Sequence, residues 1–175
     1  AHIWGTRPYT DSNTARDNGL VALFTFGEGY HNFHHIFEYD YRNGIRWWQY
    51  DPTKWLIKSL SWVKLTSNLR TTPEERIEKA KLQMQLKKAK TTLIHLPNAE
   101  EVLDKVQSEY DILMQKMAEY YKAKKLLVAR KKESLQASYE KLELDFTYKE
   151  IKQSFKLQRE KWQSLYAYYL EPVQA

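Results

Sequence analysis

Cysteine is absent from this 175-residue chain. Disulfides, thiolate metal sites and cysteine nucleophiles are therefore excluded. Glycine is scarce and one-sided, since all five glycines lie at or before Gly44. Residues 71–171 contain no glycine and only Pro73 and Pro97 as interior helix breakers. Long apolar runs are missing too. The longest, Leu20-Val21-Ala22-Leu23-Phe24-Thr25-Phe26, falls well short of the roughly 18 residues of a membrane-spanning helix. It reads as a buried helix or strand, and nothing in this chain alone is expected to cross a bilayer. Charge of one sign is not massed: 28 basic and 22 acidic side chains leave +6. That balance suits an anionic membrane surface or a phosphorylated substrate, and no nucleic-acid partner is expected from it. No signal-peptide pattern follows Ala1.

What the chain does have is histidine in one place. Four of its five histidines lie within the first 35 residues, and three fall in His31-Asn32-Phe33-His34-His35. Positions i, i+3 and i+4 share one face of a helix, so the spacing predicts a helix over Tyr30–Phe37 with three imidazoles converging on one point. Neutral imidazole suits iron, zinc, copper and nickel alike, so spacing does not choose the metal. Gly27 and Gly29 bend the backbone just before the histidines. His95 stands apart and reads as a helix-end histidine.

Composition changes near residue 70. Residues 1–70 hold every glycine and five of the six tryptophans, and read as compact, loop-rich and functional. Gly5-Thr6-Arg7-Pro8-Tyr9 is a turn, Thr10–Gly19 a polar loop, and Arg42-Asn43-Gly44 a second turn. Asp51 or Thr53 is placed to cap an amphipathic helix from about Pro52 to Thr66. Its Trp55, Lys58 and Trp62 are candidates for a membrane interface, where indoles sit at headgroup level and lysine snorkels. Packing on a soluble core is the other reading of that helix.

Residues 71–175 read as a helical extension, a hairpin of coiled-coil character. Thr72-Pro73-Glu74-Glu75 starts one helix, which ends near Leu96, and Pro97-Asn98 begins the next. Leu103, Val106, Tyr110, Leu113, Met117 and Tyr120 alternate at three and four. The rhythm resumes in other registers as Leu135, Tyr139, Leu142 and Phe146, then as Tyr148, Ile151, Phe155, Trp162 and Leu165. One straight rod of about 74 residues would be on the order of 110 Å long, so two or three helices folding back are expected. The basic runs at Lys122–Lys125 and Arg130–Lys132 read as solvated faces.

The first part carries a resemblance. Ala1-His2-Ile3-Trp4-Gly5-Thr6-Arg7-Pro8-Tyr9 resembles the stretch holding the additional histidine of the membrane-bound fatty acyl-CoA desaturases of the stearoyl-CoA, Δ9 type. Gly27-Glu28-Gly29-Tyr30-His31-Asn32-Phe33-His34-His35 is similar to their third histidine box. Asp40-Tyr41-Arg42-Asn43-Gly44 and Trp47-Trp48-Gln49-Tyr50-Asp51-Pro52-Thr53-Lys54-Trp55 resemble the segment after it in its bacterial form. The motifs cover about residues 1–65 and occur in order.

The resemblance implies an all-α membrane enzyme with two iron ions held mostly by histidine at the cytosolic face. Such an enzyme uses dioxygen and two electrons to place a cis double bond in a long acyl chain. It implies His2, His31, His34 and His35 as iron ligands. It also makes Glu28, Asn32 and Asp40 candidates for the groups that orient the imidazoles, although an ordinary turn or cap role is the other reading of each. Its implied partners are a long-chain acyl-CoA or acyl-lipid, dioxygen, the membrane, and an electron donor such as a ferredoxin or a cytochrome b5-type protein. Phe37 is followed here by Glu38, where many members have proline. Two further histidine boxes, the membrane helices and an asparagine before the additional histidine have no counterpart. The chain is therefore expected to be an inactive C-terminal piece, with residues 1–70 from the catalytic domain. A fatty-acid hydroxylase of the same superfamily, a non-enzymatic helical interaction module and a soluble histidine–zinc protein are the competing readings.

Overall fold

The computed structural model describes residues 2–132 and 138–170, with side chains described except at 131–132 and 138–141. Among these residues every regular element is a helix: α1 (Gly19–Phe24), α2 (His31–Ile36), α3 (Pro52–Trp62), α4 (Glu74–Leu93), α5 (Ala99–Lys132) and α6 (Ser138–Leu170). The chain divides into two compact units, Ala1–Gln85 and Leu86–Ala175. No described helix is long and apolar enough to cross a membrane.

The first unit is built on aromatic packing. Tyr9, Phe33 and Phe37 form its centre, with Ile77 and Ala80 of α4 and the partly buried Ile45 against them. Their rings meet edge-on or tilted, with centroids 5.0–5.8 Å apart, the arrangement that ring quadrupoles favour. Ile77 and Ala80 lie at i, i+3 on one face of α4. Their burial keeps the first turns of that helix in the first unit. The unit boundary consequently falls inside α4, fifteen residues beyond the composition change at 70.

Two expectations about local structure need correction. Leu20–Phe26 is not buried: within α1 only Ala22 is, and Phe24 is 77% exposed. The backbone explains it. Asn18 caps α1 by accepting from the N–H groups of Leu20 and Val21. Ala22 then lies so close to Gly29 that a Cβ there would strike its backbone, which turns the large side chains outward. The second correction concerns α3, which stops at Trp62 rather than Thr66. Lys64 takes a left-handed φ of 62°. Its N–H donates to Ser61 O at 3.3 Å, and that of Leu65 to Leu60 O at 3.0 Å. This is a Schellman termination with lysine in the place glycine usually takes.

The start of α3 is held more firmly. Asp51 is fully buried and caps the helix, Oδ1 accepting from Lys54 N at 2.9 Å. Its Oδ2 accepts from the N–H groups of Asn43 and Gly44. The buried Lys54 ammonium donates to the carbonyls of Gly44, Arg46 and Gln49 at 2.8, 2.9 and 3.3 Å. One carboxylate and one ammonium, three residues apart, thus take two N–H and three C=O groups of loop 43–50. Gly27 passes directly above, with φ 104°, where a Cβ would lie 2.8 Å from Asp51 Oδ1. Burial pushes the Lys54 pKa down, and Asp51 opposes that shift.

In the second unit α5 and α6 are antiparallel. Tyr110 meets Trp162, Lys116 Nζ donates to Ser154 Oγ, and Tyr120 stacks on Tyr148 and Phe155. The buried line on α5 runs Val102, Val106, Tyr110, Leu113, Met117, Tyr121. It departs from the expected line at both ends, where Leu103 and Tyr120 were anticipated. The spacings of this line, mostly four, differ from the 3.5 average of a heptad repeat. On α6 the expected Leu142 and Phe146 are exposed. Buried Gln158 instead joins Phe155 and Trp162, its amide donating to Glu109 Oε2 at 2.8 Å. Lys161 pairs with the same glutamate at 2.7 Å. Leu135 lies outside the described residues, and so does the side chain of Tyr139. Exposed His95 follows the end of α4.

Trp162 is the largest fully buried side chain of this unit. Trp162→Ala is expected to destabilise the helical hairpin by about 3–5 kcal/mol, read as a lower urea midpoint in the helical circular-dichroism signal.

Candidate metal centre

The histidine helix α2 is six residues long, too short to persist alone. Tyr30 gives it no side-chain cap. The cap comes from elsewhere in the chain. Asp17 Oδ1 accepts from Asn32 N at 2.8 Å and Phe33 N at 3.2 Å. Backbone pairing holds Asp17 in place, since it bridges Thr6 on one side and Tyr30 on the other. Burial pushes the Asp17 carboxyl up to about 6, against the two N–H donors and Lys81, which lower it.

Asn32 is fully buried and spends its whole amide. Oδ1 accepts from Tyr9 N at 3.0 Å and Thr10 N at 3.3 Å. Nδ2 donates to Thr10 O at 2.8 Å and Ala15 O at 3.0 Å. The loop that follows the N-terminal histidine is thereby fastened to the first turn of α2. Asn32 and Phe33 face inward while His34 and His35 are exposed.

That arrangement gathers four imidazoles from two stretches. His2 lies edge-on to His31 with ring centroids 4.8 Å apart, and 6.4 Å from His35. His31 and His35 are 4.3 Å apart, with one Nε2 donating to the other at 2.9 Å. His34 stands 6.4 Å from His31 and 5.9 Å from His35. His2 Nδ1 is 2.9 Å from Thr14 Oγ1, a hydroxyl that sequence reading did not single out. The expected three-way convergence is not made: among the described residues no three histidine, aspartate or glutamate side chains are arranged to hold one ion. The i, i+4 pair does approach, because it overlies itself on the helix, whereas the i+3 ring is turned aside.

The donor set still fits a nitrogen-bound transition metal in kind. The four imidazoles supply nitrogen donors, and exposed His34 and His35 are free of core packing. Desolvation, then the neighbouring His35, His2 and His34, push the His31 pKa down, which favours the neutral form that ligates.

The candidates for orienting the imidazoles are placed elsewhere. Asn32 is committed to the loop backbone. Asp40 is buried and clasps Arg42 through Nε at 2.9 Å and Nη2 at 2.8 Å. It also accepts from Thr72 N at 2.7 Å, which ties the turn to the chain just before α4. Burial opposes its charge, but these donors outweigh it and hold its pKa below the ordinary range. Glu28 is exposed, and among the described residues its carboxylate has no hydrogen-bond partner. Trp55, Lys58 and Trp62 lie exposed on α3. Asp17 was missed because its partners lie fifteen residues away, a distance at which no local motif operates.

Residues 1–61 match the family model of fatty acid desaturases. The desaturase-like segment is also similar to curated relatives. Acyl-CoA desaturase 1 of Saccharomyces cerevisiae is 52% identical over 88 residues, which are 50% of this chain and 17% of that protein. The probable acyl-CoA desaturase of Schizosaccharomyces pombe is 48% identical over 87 residues, or 50% and 18%. Human stearoyl-CoA desaturase 5 is 38% identical over 81 residues, or 46% and 24%. The chain spans about a fifth of the length of these relatives. No solved structure matches it.

Charging Asp17 inside the fold is unfavourable, so its raised pKa has a definite sign. The folded state holds the proton up to about pH 6 while the unfolded chain releases it near the ordinary 3.8. Stability from this group is therefore lost as pH rises from about 4 to 6. Asp17→Asn retains the accepting oxygen without the charge, beside Lys81 and Tyr9. Its stability, measured by urea denaturation, is expected to lose the decline of the parent over that interval.

Proposed function

We propose that residues 1–70 are the C-terminal part of the catalytic domain of a fatty acyl-CoA desaturase, of the type that introduces a Δ9 cis double bond. Within this reading, residues 40–55 carry the bacterial form of the segment after the third histidine box, and residues 71–175 are an appended helical module. The carrying observation is that His2 comes to lie 4.8 Å from His31 although 29 positions separate them. A chain with no metal to hold has no evident reason to gather four imidazoles from two distant stretches. The desaturase relatives supply the chemical context.

An alkyl C–H bond is strong and has no acidic proton, so iron with dioxygen and two electrons supplies hydrogen abstraction that acid–base residues cannot. The residues of this chain hold and orient. His2, His31, His34 and His35 would hold iron through imidazole nitrogen, with further ligands supplied by other parts of the enzyme. Thr14 steadies the His2 ring. Asp17 and Asn32 fix the helix and loop on which the ligands stand, as metal sites require of their surroundings. The substrate is a long-chain acyl-CoA or acyl-lipid, and the electrons come from a ferredoxin or a cytochrome b5-type donor. The whole protein is a multi-pass membrane enzyme with this segment on the cytosolic face, and the isolated segment is inactive. The Gly27–His31 box followed by Trp48–Trp55 favours desaturation over hydroxylation.

A complete reading frame carrying this sequence, expressed in cells that lack a desaturase, is expected to yield new monounsaturated fatty acids by gas chromatography. His31→Ala is expected to lower product at least a hundredfold and to reduce bound iron measured by atomic absorption. Hydroxylated product without a double bond, or stoichiometric zinc in place of iron, overturns the assignment.

A further inference from the structure

The surface around α3 combines two properties that are seldom left together in water. Its indoles are out: Trp47 is 85% exposed, Trp62 74%, Trp48 57% and Trp55 43%. On α3, Trp55, Ser59 and Trp62 fall at i, i+4, i+7 and so share a face. Exposed Leu56 and Val63 flank them, and Leu65 follows just beyond the helix. The charge of the same stretch is one-sided. Between Tyr41 and Pro73 the only carboxylate is Asp51, which is fully buried and committed to backbone N–H groups. Arg46, Lys58, Lys64 and Arg70 are exposed. Arg46 lies over the Trp48 ring at 5.5 Å and Arg70 over Tyr39 at 6.0 Å.

We propose that this face is a lipid-binding surface that seats Trp47, Trp48, Trp55 and Trp62 among the headgroups of an anionic phospholipid layer. Indole is amphipathic and partitions to the headgroup level, and the cations beside it meet the phosphate layer. A second copy of the chain is the poorer occupant, because two-fold pairing of one patch sets its uncompensated cations against one another. The buried Asp51–Lys54 arrangement suits this use. It takes up the N–H groups of Asn43 and Gly44 and the carbonyls of Gly44, Arg46 and Gln49, so that the loop meets lipid with fewer bare backbone groups. The inference refines the membrane placement proposed above. It requires no iron, so its failure leaves the desaturase assignment standing.

The test is vesicle flotation of the full chain with phosphatidylcholine alone and with an equal mixture of phosphatidylcholine and phosphatidylglycerol. Tryptophan fluorescence is read in parallel with brominated lipid as quencher. The chain is expected to float with the anionic vesicles, with quenched fluorescence and binding that weakens as salt rises. Trp47→Ser with Trp62→Ser is expected to weaken binding at least tenfold. Lys58→Gln and Arg46→Gln are expected to weaken it roughly fivefold each, with helical circular dichroism unchanged. Lys122→Gln, in the second unit, is expected to leave it unchanged. No flotation, equal binding to neutral vesicles, an equal loss with Lys122→Gln, or a sedimentation dimer abolished by Trp62→Ser overturns the proposal.

Discussion

The first unit depends on one carboxamide. Asn32 sits between His31 and Phe33 and makes four hydrogen bonds to the backbone of Tyr9, Thr10 and Ala15. Each would be costly to leave unmade at a fully buried site. Because the amide offers two acceptor directions and two N–H groups, it matches the mixed polarity of a loop backbone, which a carboxylate does not. The consequence is spatial. The loop cannot leave α2 without exposing or orphaning these groups, so His2, which precedes the loop, is kept beside the histidines of the helix.

Asp17 completes the same arrangement from the other end. A six-residue helix has more orphan N–H groups at its start than bonds in its interior, so its persistence is decided by its cap. Here the cap is imported from a segment that also pairs with Thr6 and Tyr30. Helix, loop and cap are thus mutually dependent, and the histidines themselves contribute little to holding them. That separation leaves His34 and His35 exposed and free to meet an ion. Asn32 and Phe33 face inward, between His31 and the exposed pair His34 and His35.

Local patterns in the chain predict the structure well where the cause is local. The i, i+3, i+4 histidines predict α2, Asp51 predicts the start of α3, and Pro73 and Pro97 bracket α4 closely. The gathering of His2 with the box follows from the resemblance rather than from spacing. Failures occur where a distant residue decides. Leu20–Phe26 has the composition of a core segment, but contact of Ala22 with Gly29 turns its large side chains outward. Asn32 and Asp40 have the chemistry to orient imidazoles, yet distant loop backbone claims the first, and Arg42 with the backbone of Thr72 claims the second. Lys64 ends α3 in a conformation that its side chain gives no reason to expect. On α6 the polar Gln158 takes a place in the buried line because Glu109 lies opposite, and a hydrophobic count passes over it.

The Asp51–Lys54 arrangement joins the two chemical faces of the first unit. Gly27, the first residue of the histidine-box motif, rests on the Asp51 carboxylate, and loop 43–50 hangs from Asp51 and Lys54 together. Burying one charge of each sign within one helical turn is tolerable because every oxygen and ammonium hydrogen direction has a backbone partner. The consequence lies outside. With the sole carboxylate of residues 41–73 turned inward, the surface charge of that stretch is positive by construction, and the indoles of Trp47, Trp48, Trp55 and Trp62 stand in it. The same buried pair therefore supports the approach to the histidine helix and leaves a basic aromatic surface on the other side of the loop it holds.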